Sequence, residues 1–405
     1  MALKLALACG GNDVDIEDQQ RCSEDFIALS ISKIRKFARD ENNLINWYLD
    51  RNLDYNKLEE FGKAGNFGTI LIYATILDNF GDVSFVAKLI NFLKSYSTRI
   101  VVLTNDMEKI VNIVHESEHV ILIPLNPFSD TQSVDDFNIS LVIEAQVVRH
   151  TKFELFKKLN LSHSIPYLSI REAGQGLATL SIRAKEFNLC GLDHSWCALA
   201  SGFDFTESGI FLVLPEPRIL ASFADRVMNS GKSLYLFYAY NSPSLETFLK
   251  LVKQDSGSDN DKLIVISQAG MERNSHLLVN LNIEVLSPTE FVPHANMVTM
   301  MNSAKLIYCT GDQSLAETIT LAKPFLYENP GHKPFVVTSL LVLAEYLNLN
   351  LILELWQSTR DSYPIRDLSL YEVEFQILRE FISNNFSLEL ELTAKLARIY
   401  HSCVE

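Results

Sequence analysis

The feature that most constrains this chain is a series of short, unbroken apolar runs separated by helical patterns. TILIYATIL, RIVVLT, HVILIPL, SLVIEA, IPYLSI and IFLVLP follow one another between Thr69 and Pro215. Each is rich in Ile, Val and Leu without inside–outside alternation, as a parallel strand covered on both faces should be. Strands alternating with helices make a doubly wound α/β domain. Near Met228 to Lys232 the pattern restarts with SLYLFYAY, KLIVIS, IEVLSP, KLIYCT and KPFLYE, interrupted by the polar loop QDSGSDND. The expected organisation is a helical extension over 1–66, a Rossmann-like domain over 67–228, a second over 229–386 and a C-terminal helix over 387–405. Two such domains facing each other would leave a cleft at the C-terminal ends of their strands, where ligands tend to bind.

The extension differs in texture from the rest. Ser23 can cap a helix in which Phe26, Ile27, Ile31, Ile34 and Phe37 recur at helical spacing, and Leu44, Ile45, Trp47 and Tyr48 suggest another. The segment GKAGNFG, Gly62 to Gly68, reads as a linker.

Composition narrows the function classes. The 405 residues suit two domains, and 47% apolar residues can fill two cores. A net charge of −15 with no basic run argues against a nucleic-acid partner. No apolar run reaches the ~18–20 residues of a membrane span. The six cysteines form no C-x-x-C pair, which favours a reducing compartment. The opening MALKLALACGG is too short an apolar stretch for an export signal, so a cytoplasmic location is expected. Delivery to another cell without such a signal is compatible with the same residues.

Three segments carry candidate chemistry. In ILDNFGDVSFVAKLINFL, residues 76 to 93, Gly81 suits a strand-to-helix turn and Asp78 and Asp82 bracket it. A carboxylate there can take a proton from an attacking acceptor, or merely cap the helix. In TGDQSLAETITLAKPFLYENPGH, residues 310 to 332, Gly311, Asp312, Gln313 and Ser314 open a helix whose free N–H groups suit a diphosphate. Glu317, one turn in, can accept from ribose hydroxyls. In FVPHANMV, residues 291 to 298, His294 can contact a base or phosphate, or serve as a local hydrogen-bonding residue.

Two patterns mislead. His115-Glu116-Ser117-Glu118-His119 fits H-E-x-x-H, but a strand is expected to begin at His119, which breaks the helix a zinc site needs. Gly174 to Gly176, GQG, lacks the third glycine of a dinucleotide fingerprint. No metal site is expected.

The motif LDNFGDVS, Leu77 to Ser84, resembles the I-D-N-[FY]-G-D-I-G opening of the elongation factor P arginine rhamnosyltransferases. FVPH, followed by sixteen residues, then GDQSL and AKPF, resembles that family's F-[LV]-P-Q, G-E-D-S-F and G-K-P-F series. LVIEA, YLSIRE, SGFDF and FYAYN echo it in the same order. The resemblance spans residue 69 to the C-terminal helix. It implies a GT-B fold and inverting, metal-independent transfer of rhamnose from dTDP-β-L-rhamnose to an arginine side chain of elongation factor P or another protein. It implies no cofactor beyond that donor. Asp82 would be the base, with Asp78 the second acidic position. Asn79, Gly81, Tyr240, His294, Gly311, Asp312, Gln313, Ser314 and Glu317 would surround the donor.

The chain departs from the family in ways that bear on charge. Ala87 and Lys88 replace a tryptophan and an arginine, Thr310 replaces an arginine, and Asp312-Gln313 stands for Glu-Asp. Glu317 falls where the family has an arginine. Fewer cations should reshape diphosphate binding. Other readings are therefore transfer of a different nucleotide sugar, a nucleotide-sugar epimerase, or a non-catalytic binding protein of the same fold.

Overall fold

The computed structural model describes residues 66–76, 80–114, 116–125, 134–146, 152–162, 164–171, 196–200, 209–215, 219–279, 281–328, 335–357 and 367–404. The extension expected over 1–66 lies, but for Asn66, outside the described residues. The chain divides into two compact units, Met1–Phe211 with Phe386–Glu405, and Leu212–Asn385.

In the first unit the strands are β1 (Thr69–Ala74), β2 (Arg99–Thr104), β3 (Val120–Pro124), β4 (Ile139–Gln146), β5 (Tyr167–Arg171) and β6 (Trp196–Ala200). The helices are α1 (Phe80–Leu93), α2 (Met107–Val111) and α3 (Lys152–Leu159). All strand pairs are parallel, in the order β3-β2-β1-β4-β5-β6. Central β1 is buried along its whole length, which is why TILIYA carries no polar face. Leu71, Tyr73, Val101, Leu103, Val142, Phe156 and Tyr167 belong to one core cluster. Buried Glu144 is accommodated because its Oε2 accepts from Tyr167 Oη at 2.6 Å and Ser169 Oγ at 3.0 Å.

The second unit holds α4 (Ser222–Met228), β7 (Ser233–Tyr238), α5 (Ser242–Gln254), β8 (Lys262–Ile266), α6 (Gln268–Leu278) and β9 (Glu284–Leu286). It continues through α7 (His294–Ser303), β10 (Ala304–Thr310), α8 (Asp312–Thr320), β11 (Phe325–Glu328), α9 (Phe335–Tyr346), α10 (Asn350–Gln357) and α11 (Glu372–Asn385). Its sheet is parallel, in the order β11-β10-β7-β8-β9. Helix α4 is tied to α7 through Asn296, whose Oδ1 accepts from Ala221 N at 2.8 Å and whose Nδ2 donates to Ile219 O at 3.2 Å.

The last helix, α12 (Leu388–Val404), belongs to the first unit, and Tyr400 meets Phe67 edge to face. The return is locked where Ile210 N donates to Phe386 O at 2.8 Å and Leu388 N donates to Ile210 O at 2.9 Å. Gly209 is required here: its φ is +101°, and a Cβ would fall 2.2 Å from Phe386 O. This corrects the strand expected at IFLVLP. Ile210 makes only an isolated bridge to Ser387, and Phe211 packs edge-on against Phe85 and Phe92. Its apolar character serves core filling. Conversely β6, WCALA, is a strand the apolar runs did not reveal.

Candidate functional site

In each sheet the chain order reverses beside the first strand: between β1 and β4 in the first unit, and between β7 and β10 in the second. Loops leaving neighbouring strands there diverge and open a crevice at the C-terminal edge, where doubly wound sheets bind ligands. In the second unit those loops carry Tyr240 after β7 and Gly311 to Ser314 after β10.

The β10 loop is a single residue. Gly311 has φ +84° and precedes α8 directly, so a side chain at this position would be strained. Among the described residues, its two chain neighbours aside, no heavy atom lies within 4 Å of where its Cβ would be, so the backbone faces open space there. Gly311, as the N-cap, supplies no side-chain hydrogen bond of its own. The first N–H groups of α8 and its dipole therefore suit an anion, although Asp312 in the first turn supplies a competing charge. Gln313 is buried and Ser314 half-buried. Leu315, Ala316 and Ile319 sink the other face of α8 into the core.

One turn on, buried Glu317 meets His294 at the start of α7, with Oε1 and Nε2 2.6 Å apart. Glu317 is thus engaged by an imidazole, and His294 has a local partner as well as its place at the loop. Around them burial dominates. Cys309 Sγ is pushed up to about 12 by burial, with Glu317 adding to the effect of a thiol that accepts from Thr318 Oγ1 at 3.7 Å. Tyr238, at the tip of β7, is also pushed up to about 12, by desolvation first and then by Tyr240 and Glu317. Tyr238 remains 36% exposed as a residue, so its phenol is crowded while part of the side chain meets solvent.

Tyr240 is 37% exposed, and the Arg273 guanidinium lies over its ring at 5.6 Å. Phe291, three residues before His294, is 41% exposed. Three part-exposed aromatics thus occur at the tip of β7, just after it and just before α7. Of these only Tyr240 was singled out from the sequence. A further residue not foreseen is Glu328 at the end of β11, buried, whose carboxylate accepts from the N–H groups of Tyr240 and Asn241.

In the first unit, Asp82 is the third residue of α1 and buried. It lies inside the helix's first turn, where the dipole favours the carboxylate form. Gly81 is helical too, so it does not form the turn expected of it. Asp78 and Asn79 lie outside the described residues. Thr75 follows β1 with its hydroxyl buried. Lys88 is buried on α1, in the position where the resembled family has an arginine.

The decoys resolve differently. Glu116 to His119 are not helical, so they cannot present an H-E-x-x-H site; His115 and Gly174 to Gly176 lie outside the described residues. Among the described residues no group of three His, Cys, Asp or Glu could hold a metal ion, and no helix is long and apolar enough to cross a membrane.

No protein-family model matches the sequence, and neither does any curated protein. The likeness to the arginine rhamnosyltransferases therefore stays at the motifs quoted above. Solved structures do match. The chain is similar to the kitacinnamycin glycotransferase, with 11% identity, covering 83% of this chain and 100% of that one at a TM-score of 0.50. A glycosyltransferase from Rickettsia africae ESF-5 gives 13% identity, 84% and 99% coverage and a TM-score of 0.49. The glycosyltransferase VinC, solved in complex with dTDP, gives 12% identity, 82% and 100% coverage and a TM-score of 0.48. With its two parallel, doubly wound sheets, the chain has the α/β fold of the GT-B glycosyltransferases.

Proposed function

We propose that this protein is a glycosyltransferase that takes a sugar from a nucleotide diphosphate and passes it, with inversion, to a protein side chain. The observation that carries the reading is the open Gly311 start of α8 at the switch point of the second sheet, one strand from the exposed Tyr240. The α8 N–H groups and Ser314 would hold the diphosphate, and Tyr238, Tyr240 and Phe291 would offer faces for the nucleobase. Asp82 would take the acceptor's proton as its nucleophile attacks the anomeric carbon. The bond from that carbon to the diphosphate oxygen breaks, and the leaving electron pair stays on the phosphate, where α8 can stabilise it without a metal ion.

For the finer assignment, the motif resemblance supports dTDP-rhamnose as donor and arginine as acceptor. A guanidinium would pair with the acidic groups of the site and lose its proton to Asp82 as the bond forms. A different nucleotide sugar is the second reading. It is favoured by Glu317, a carboxylate paired with His294 where the family has an arginine.

The test is a thermal-shift panel of dTDP, UDP, GDP and ADP on the parent and on Asp82→Asn, followed by sugar transfer to protein acceptors. One nucleotide should stabilise both proteins, and only the parent should transfer sugar. Normal transfer by Asp82→Asn would remove Asp82 from the role of base.

A further inference from the structure

Glu328 closes β11 as a buried residue, at 7% relative exposure. Its oxygens accept from Tyr240 N at 3.2 and 3.3 Å and from Asn241 N at 2.9 Å. These two N–H groups immediately precede α5, whose dipole favours the charge. The backbone oxygen of Glu328 accepts from Thr310 Oγ1 at 3.1 Å, which ties the ends of β10 and β11 together. The Tyr240 peptide is held from the other side as well. Asn274, fully buried at a non-helical point in α6, donates Nδ2 to Tyr240 O at 3.2 Å and to Gly270 O at 2.9 Å.

Both polar groups of the Tyr240 backbone are thus held by buried side chains distant in sequence, Glu328 from β11 and Asn274 from α6, while its ring stays exposed under Arg273. A buried carboxylate without partners would be costly, and here both oxygens serve one loop. We propose that Glu328 is a positioning residue for nucleobase recognition: it fixes Tyr240 as a stacking platform, so base selectivity depends on it and diphosphate binding does not. This rests on the second unit's switch point being the nucleotide site.

The experiment is calorimetric titration of the full chain with UDP, dTDP, GDP, ADP and inorganic pyrophosphate, using the parent, Glu328→Gln, Tyr240→Leu and the double variant. Each single change should weaken the preferred nucleotide about tenfold, the scale of one stacking contact. It should also narrow the gap to the other nucleotides and leave pyrophosphate within about twofold. The double variant should lose no more than Tyr240→Leu alone. Equal losses for nucleotide and pyrophosphate, additive losses, or unchanged nucleotide affinity in Tyr240→Leu would each overturn the proposal, and the last needs only an exposed-residue variant that leaves the core intact. If the parent binds pyrophosphate but no nucleotide preferentially, this inference falls alone. If it binds neither, the reading of the site falls with it.

Discussion

Glu317 shows how one residue sets the character of the second unit's crevice. Its carboxylate, buried and 2.6 Å from His294, also raises the proton affinity of Tyr238 and Cys309, to which burial contributes most. For both groups the folded value lies above the ordinary one. The folded state therefore holds protons that the unfolded chain gives up at lower pH. The stability this represents is fully present below the unfolded thiol value of about 8.5 and phenol value of about 10, and is lost as pH rises toward about 12. Melting temperature should accordingly hold steady from about pH 7 to 8.5 and fall between about pH 9 and 12. Tyr238→Phe should lessen the fall above about pH 10. A flat profile across that range would contradict the burial assigned to these two groups.

At the scale of elements, α5 is fastened at both ends by side chains from the sheet. Glu328 meets its N-terminal side, and buried Lys262 meets its C-terminal side. Lys262 Nζ donates to Val252 O at 2.9 Å and Asp255 O at 3.0 Å, and pairs with Asp259 at 3.2 Å. The cation stands where helix carbonyls would otherwise be unsatisfied. Lys262→Met removes these bonds at similar volume and should cost about 2–3 kcal/mol. A urea transition with a lower midpoint and unchanged slope would register it; an unchanged midpoint would mean that α5 does not need the contact.

Most of these elements were legible in the sequence because a strand covered on both faces has nowhere to put a polar residue. TILIYA and KLIVI announce themselves for that reason. IFLVLP misled because an apolar run states burial, not backbone pairing, and Gly209 with Phe386 uses this segment for the chain's return. The α8 start was legible as well, since Gly-Asp-Gln-Ser directly after a strand leaves little but a tight turn into a helix. Gly81 was misread by the same logic, because nothing local distinguishes a helical glycine from a turning one. Glu328 gave only a faint signal, one charge at the end of an apolar strand. Its partners, 87 and 88 residues away, become neighbours only through the order of β7, β10 and β11.

Over the whole molecule, each unit has its own parallel sheet and its own switch point. The residues assigned to the donor, apart from Asn79 and Gly81, belong to the second unit, Leu212–Asn385. The base candidate, Asp82, belongs to the first. Binding and chemistry should therefore separate by mutation. The central claim is that the Gly311 start of α8 takes the diphosphate of a nucleotide. Titrating nucleoside diphosphates into the full chain and into Gly311→Val tests it most directly, because a β-branched residue at φ +84° should displace the backbone that faces the phosphate. The account predicts saturable binding by the parent and a loss of at least about tenfold in a folded Gly311→Val. Equal affinity in the two proteins, or no nucleotide binding by the parent, would contradict it.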